Sequence, residues 1–270
     1  MTTAILGLGV MGEVLLTGLL RSGWGAETIK VTARRPERQA EIAQRHSVTV
    51  CSNREAVAGA DTVVVAVKPQ DLADVLDEIA DVLAPDALVV SLAAGVETAT
   101  IESRLPVGAA VVRAMPNTPA SVGQGMAAIS AGSRAGDDHL RRVSDILSAV
   151  GRVVVVPERY QNAVTAISGS GPAYVMFVAE AMIDAGVMLG LPRGVATELV
   201  IQTVYGSAQL LRDSGQHPTV LRENVTSPGG TTTAALRAFE THRVKAAFMD
   251  AMEAACQRSQ ALGRARPEPS

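Results

Sequence analysis

Apolar residues in the first 157 positions come in short β-rich runs separated by stretches with helical spacing. The runs near residues 4–6, 29–32, 62–67, 88–92, 111–114 and 152–156 read as strands. Val63-Val64-Val65-Ala66-Val67 is apolar without a break, the pattern of a strand covered on both faces. Leu72, Val75, Leu76, Ile79 and Leu83 recur at three- and four-residue intervals and predict an amphipathic helix over 71–83. Such alternation predicts a parallel sheet. After Pro157 no β-rich run appears, and Ala/Val/Leu/Met helical patterns occupy 173–189, 194–214, 231–239 and 244–262. The pattern is that of an α/β chain: a doubly wound sheet over 1–157, then an all-helical domain over 158–270 that supplies substrate contacts and an oligomer interface. Residues 266–270 read as a frayed tail.

Directly behind the first run, Gly7-Leu8-Gly9-Val10-Met11-Gly12 completes GxGxxG, and Val14, Leu15, Leu19 and Leu20 form a helix stripe behind it. That order makes the sheet Rossmann-type and suits a dinucleotide pyrophosphate. The first Gly permits the turn, the second lets backbone N–H groups approach phosphate, and the third lets helix and strand pack closely. NAD-binding folds carry an acid about 20 residues past the glycines. Here that stretch reads Val31-Thr32-Ala33-Arg34-Arg35-Pro36, without an acid. Arg34 and Arg35 stand where a 2′-phosphate would lie, which favours NADPH, with NADH the alternative; the bland reading is a solvated helix start. Lys68 in Val67-Lys68-Pro69-Gln70 follows a strand at the ligand-binding edge and either faces the cofactor or is a surface lysine. Asn53 falls at a predicted helix N-cap. Ser91-Leu92-Ala93-Ala94-Gly95-Val96 offers small residues on which a flat ring can lie, and two prolines fix the path of Arg113-Ala114-Met115-Pro116-Asn117-Thr118-Pro119.

Composition narrows the classes. Of 270 residues 47% are hydrophobic but only 3% aromatic, so the cores are built from small aliphatic side chains. A net charge of −3 without a long basic run argues against a nucleic-acid partner. Cys51 and Cys256 sit in no metal-ligand spacing and read as buried structural thiols in a reducing compartment. His46, His139, His217 and His242 form no HxH or HxxxH pair, so no metal is expected. Glu13 interrupts the N-terminal apolar run, against a signal peptide. Residues 163–179 are uncharged, but Pro172, two glycines and several hydroxyls make a poor membrane span. The expected location is cytoplasmic.

Ser168-Gly169-Ser170-Gly171-Pro172-Ala173-Tyr174 precedes a long helical pattern, and its N–H groups and hydroxyls either hold an anion or simply cap the helix. Val225-Thr226-Ser227-Pro228-Gly229-Gly230-Thr231-Thr232-Thr233 is a second such start. Two free helix N-termini with hydroxyls suit a small carboxylate. Together with Ala66-Val67-Lys68-Pro69 and Met115-Pro116-Asn117-Thr118-Pro119, these motifs make the chain resemble the pyrroline-5-carboxylate reductase family over nearly its whole length. The resemblance implies NAD(P)H-dependent reduction of 1-pyrroline-5-carboxylate to L-proline, the last step of proline synthesis. It also implies a homodimer through the C-terminal helices and, beyond that, a ring of dimers. Carried over by position, the cofactor would touch Gly7, Leu8, Gly9, Val10, Met11, Gly12, Arg34, Arg35, Asn53, Ala66, Val67, Lys68, Pro69, Ala93, Ala94 and Asn224. The substrate would touch Glu158, Thr231 and Thr232, and the two helix starts add Ser168, Ser170 and Gly230 as candidate substrate residues. Where family members often have Ser after the second strand, this chain has Arg34.

The mechanism expected from these residues needs no strong general acid, because a cyclic imine is readily protonated near neutral pH. Thr232 is the candidate to hydrogen-bond the ring nitrogen and relay a proton, and Lys68 to orient nicotinamide or substrate. Two rival readings stand beside this one. β-Hydroxyacid dehydrogenases have a similar opening glycine loop, but they place a catalytic lysine in a second-domain helix, and the corresponding segment 170–189 has none. A non-catalytic NADP(H) sensor would keep the fold and lose the chemistry.

Overall fold

The computed structural model describes residues 1–264. They form two compact units, one of residues 1–170 with those from 255 on, the other of residues 171–254. The expected tail at 266–270 lies outside the described residues. The first unit holds β1 (Thr3–Leu6), β2 (Ile29–Val31), β3 (Thr49–Val50), β4 (Thr62–Val65), β5 (Leu88–Ser91), β6 (Ala110–Met115), β7 (Gly125–Ala131) and β8 (Gly151–Val155). They make one sheet in the order β3-β2-β1-β4-β5-β6-β7-β8. β1 to β6 run parallel, β7 runs antiparallel to β6, and β8 follows β7. The strand expected near 152–156 is therefore present but reversed relative to the first six. The link 116–124 is too short for a parallel crossover, which takes about a dozen residues or more, so the chain turns back on itself.

Helices α1 (Val10–Arg21), α2 (Pro36–His46), α3 (Asn53–Val57), α4 (Leu72–Ile79), α5 (Thr98–Glu102) and α6 (Asp137–Ser148) alternate with these strands, and α7 (Gln161–Val164) follows β8. Each sheet face has its own core. Leu15, Leu16 and Leu19 of α1 and Ile146 and Leu147 of α6 cover one face. Val57, Leu72, Leu76, Ile79 and Ile101, from α3, α4 and α5, cover the other. β4 shows why its run is wholly apolar: Val64 enters the first core and Val63 and Val65 the second. Each such buried aliphatic side chain contributes roughly 1.5–3 kcal/mol. Cys51, expected to be buried, is half-buried because it follows the edge strand β3, and Cys256 is also half-buried; both are free thiols.

An ionic cluster ties α1 to α2 just behind the glycine loop. Glu13, in the first turn of α1, pairs with Arg38, Arg45 and His46 of α2. Burial alone would raise its carboxyl, but the hydrogen bonds from His46 and Arg38 and the nearby guanidinium charges outweigh it and hold Glu13 below the ordinary carboxylate value. A depressed carboxyl contributes stability above its unfolded pKa and loses it as pH falls through the folded one. Glu13→Gln should therefore cost about 0.5–1 kcal/mol at neutral pH and flatten the acid limb of stability below about pH 4. Urea melts at a series of pH values check this; an unchanged acid limb would mean the cluster is energetically idle.

The second unit is helical: α8 (Gly171–Met188), α9 (Arg193–Ser214), α10 (Pro218–Asn224), α11 (Thr231–Thr241) and the larger part of α12 (Val244–Arg264). Helices α8 and α9 pack closely where a Cβ on Gly186 would lie 3.0 Å from Ala196 Cβ. No residue of α8 is buried, and α9 buries only Ala196 and Val200. Phe177, Met182, Leu199, Ile201 and Tyr205 are exposed, so large apolar side chains on both helices stand in water in the single chain. By length and composition the helical run 158–188 would also be apolar enough to cross a membrane, despite Pro172 and its hydroxyls.

Candidate active site

In an open parallel sheet ligands bind beyond the carboxyl ends of the strands, where the strand order reverses. Here that point lies between β1 and β4, whose following loops carry the glycine motif and Ala66-Val67-Lys68-Pro69. The two loops touch. A Cβ on Gly7, which has φ +87°, would lie 2.6 Å from Val67 Cγ1, and one on Gly12 would lie 2.7 Å from the Gly7 carbonyl oxygen. Gly9 has the opposite environment, with nothing within 4 Å of an added Cβ. It is also the N-cap of α1, so no side-chain cap from that position takes up the first-turn N–H groups. Thr32 fixes the loop from β2: its hydroxyl accepts from Gly7 N at 3.1 Å and its carbonyl from Leu8 N at 2.8 Å. These residues fit a dinucleotide pyrophosphate. Gly12→Ala should push the turn apart at a cost of about 1–3 kcal/mol and weaken NADP+ binding at least tenfold; calorimetry showing normal affinity would contradict that packing argument.

The flanking residues are set by their own loops. Arg34 and Arg35 are exposed at the end of β2, immediately before α2. Arg34 Nη2 meets Asp71 Oδ2 at 2.8 Å. Lys68 is exposed as N-cap of the short turn Pro69–Asp71, and its carbonyl accepts from Asp71 N at 2.9 Å. Ala93, which is buried, and Ala94 follow β5, where Ser91 Oγ accepts from Ala93 N at 3.2 Å. Asn53 is not a cap. Ser52 caps α3 through a reciprocal box with Glu55, and Asn53 instead donates to Glu78 Oε2 at 2.8 Å. The Ser-x-x-Glu spacing was the available sequence signal.

Glu158 is held inside the first unit. Its Oε1 accepts from Thr98 N at 2.7 Å and its Oε2 from Thr98 Oγ1 at 2.6 Å, which caps α5. Oε1 also lies 3.4 Å from Nη1 of Arg113, whose side chain is 3% exposed. Burial lowers the Arg113 pKa, and the Glu158 and Glu97 carboxylates oppose that. In the sequence Arg113 has a place in the 113–119 loop motif but no partner, although a lone cation inside the apolar strand Ala110–Met115 is the kind of residue that requires one.

The helix start expected at Ser168 is not a free one. Thr165–Gly169 is a π-turn joining α7 to α8, and Ser170 N donates to Thr165 O at 2.8 Å, so that amide is committed. Ser168 Oγ donates to Val164 O at 3.2 Å, and its carbonyl accepts from Asn117 Nδ2 at 3.0 Å. Such wide turns recur at functional sites.

In the second unit the turn before α11 keeps the expected form. Gly229 has φ +69°, Gly230 is the N-cap without a side-chain bond, and Gly230 N donates to Ser227 O at 3.0 Å. Thr233 Oγ1 donates to Ser227 O at 2.7 Å and secures the turn. The Thr231 and Thr232 hydroxyls are left uncommitted among the described residues, with Thr231 exposed and Thr232 half-buried. Asn224 ends α10 in an exposed position.

The switch-point crevice, with residues 2–95 matching the family described as NADP oxidoreductase coenzyme F420-dependent, defines a nicotinamide-dependent oxidoreductase. Residues 158–262 match the pyrroline-5-carboxylate reductase dimerisation family. The sequence is 41% identical to the pyrroline-5-carboxylate reductase of Corynebacterium melassecola over 97% of this chain and 99% of that protein. It is 43% identical to that of Mycobacterium tuberculosis (strain CDC 1551 / Oshkosh) over 98% of this chain and 97% of that one. The chain belongs to the pyrroline-5-carboxylate reductase family. The crystal structure of Plasmodium falciparum pyrroline carboxylate reductase with NADP bound superposes with a TM-score of 0.87 at 32% identity, covering 97% of this chain and 98% of that one. A 3-hydroxyisobutyrate dehydrogenase of Mycobacterium tuberculosis, at 20% identity and TM-score 0.52 over 71% of this chain and 66% of that one, shares the fold alone.

Proposed function

We propose that this protein reduces 1-pyrroline-5-carboxylate to L-proline with NAD(P)H, the last step of proline synthesis. The observation that carries the reading is the pairing, in one chain of this family, of a glycine-lined crevice at the β1/β4 switch with an uncapped, hydroxyl-bearing start of α11. Bound NAD(P)H supplies the hydride that the imine carbon accepts. Gly7, Leu8, Gly9, Val10, Met11 and Gly12 would hold its pyrophosphate through backbone N–H groups and the α1 dipole. Arg34 and Arg35 would take a 2′-phosphate, which favours NADPH, while Ala66, Val67, Lys68, Pro69, Ala93 and Ala94 would bound the rest of the dinucleotide. Asn53 and Asn224 are its outlying candidates.

For the substrate, the N–H groups of residues 230–232 would bind the carboxylate. The Thr232 hydroxyl would hydrogen-bond the ring nitrogen and relay a proton, and Lys68 would orient the reactants. Ser168 and Ser170 would contribute through their π-turn, and Glu158 by fixing the α5 start. With no histidine or cysteine in the assignment, positioning supplies most of the acceleration.

A second copy of this chain would cover the exposed apolar faces of α8 and α9, making a homodimer through the C-terminal helices, with rings of dimers as the larger assembly. The free thiols suit a reducing compartment, and we assign the protein to the cytoplasm. Loss of NADPH absorbance on adding pyrroline-5-carboxylate tests the activity. Tight NADPH binding without turnover would instead support a sensor, and light scattering reads the dimer or a multiple of it.

A further inference from the structure

The end of β2 lacks the acid that NAD-binding folds place there, but the fold brings one from another loop. Asp71, at the end of the turn that Lys68 begins, reaches Arg34 across 37 positions of chain and pairs with it at 2.8 Å. The carboxylate is 28% exposed and held by its turn, while the Arg34 side chain is 82% exposed. Asp71 is thus the fixed member and Arg34 the one that can move. Asp71 holds Nη2 through one of its two hydrogens and so occupies one of the two forked edges of the guanidinium. A bidentate grip on phosphate uses one edge, so Asp71 leaves a single edge open and sets its own charge beside it.

We propose that Asp71 is a specificity-determining residue for the cofactor: it competes with the 2′-phosphate of NADP(H) for Arg34 and so narrows the preference for NADP(H) over NAD(H). This rests on the reading of Arg34 as a 2′-phosphate ligand. The sign follows from charge. A dianionic phosphate must either displace the carboxylate from its edge or take the open edge and sit beside a like charge, whereas NAD(H) leaves the pair intact. Exposed ion pairs are individually weak, so the bias is modest.

Isothermal titration of the full-length protein with NADP+ and with NAD+ tests this without reference to turnover. Asp71→Asn should tighten NADP+ roughly two- to fivefold and leave NAD+ within twofold. Arg34→Gln should weaken NADP+, and in that background Asp71→Asn should no longer help. Weaker NADP+ binding by Asp71→Asn would show that the carboxylate pre-organises Arg34. Unchanged binding would show an idle surface pair, and a gain that persists without Arg34 would show that the two do not compete. Any of these overturns the proposal. The reading of Arg34 fails separately, if Arg34→Gln alone leaves NADP+ affinity unaltered.

Discussion

Replacing Thr232 by alanine should lower kcat/KM for pyrroline-5-carboxylate by roughly ten- to a thousandfold, about 1.4–4 kcal/mol, with NADP+ affinity kept within twofold. The expectation comes from the division of labour in the turn before α11. Thr233 spends its hydroxyl on Ser227 O, while Thr232 keeps its own beside amides that no side chain caps. Thr232→Ser, which retains a hydroxyl, should recover most of the loss. Wild-type turnover in Thr232→Ala would remove the residue from the mechanism, and a parallel collapse of NADP+ binding would make its role structural.

The second large effect is on stability. Glu158→Ala strips Arg113 of its hydrogen-bonded carboxylate, leaving only the charge of Glu97 nearby, and the start of α5 of its cap. Removing one member of a buried pair costs about 3–5 kcal/mol. With Glu158 26% exposed the lower end applies, about 3 kcal/mol, or a Tm drop of roughly 6–12 °C. The paired change Arg113→Met with Glu158→Leu should regain part of that, because it leaves no unpaired charge. A Glu158→Ala protein of normal Tm that had lost only substrate affinity would return Glu158 to direct substrate contact.

What could be read from sequence follows from how local each cause is. β4 was legible because a strand covered on both faces leaves an unbroken apolar run, and the glycine loop because each glycine answers a distinct steric demand. β7 was not: Gly125-Met126-Ala127-Ala128-Ile129-Ser130-Ala131 is built of residues with little strand preference, and its place is decided by pairing with β6 and β8. Its appearance also reverses β8, which no pattern within β8 reveals. The π-turn at Thr165–Gly169 breaks no periodicity strongly enough to be seen, so a committed amide was read as a free one. The partners of Glu158 and of Arg34 come from loops distant in sequence, and only the folded sheet brings them together. The family match to the dimerisation region begins at residue 158, next to the boundary read from sequence, whereas the compact units divide after residue 170. Residues 158–170 and the end of α12 belong with the first unit, where Ser259 Oγ donates to Asn162 Oδ1 at 2.8 Å.

The most direct measurement is a crystal structure of the protein with NADP+ and L-proline. The proline carboxylate is expected on the backbone N–H groups of residues 230–232, with its ring nitrogen at the Thr232 hydroxyl and facing the nicotinamide. Proline bound away from that turn, or out of reach of the nicotinamide, would contradict it.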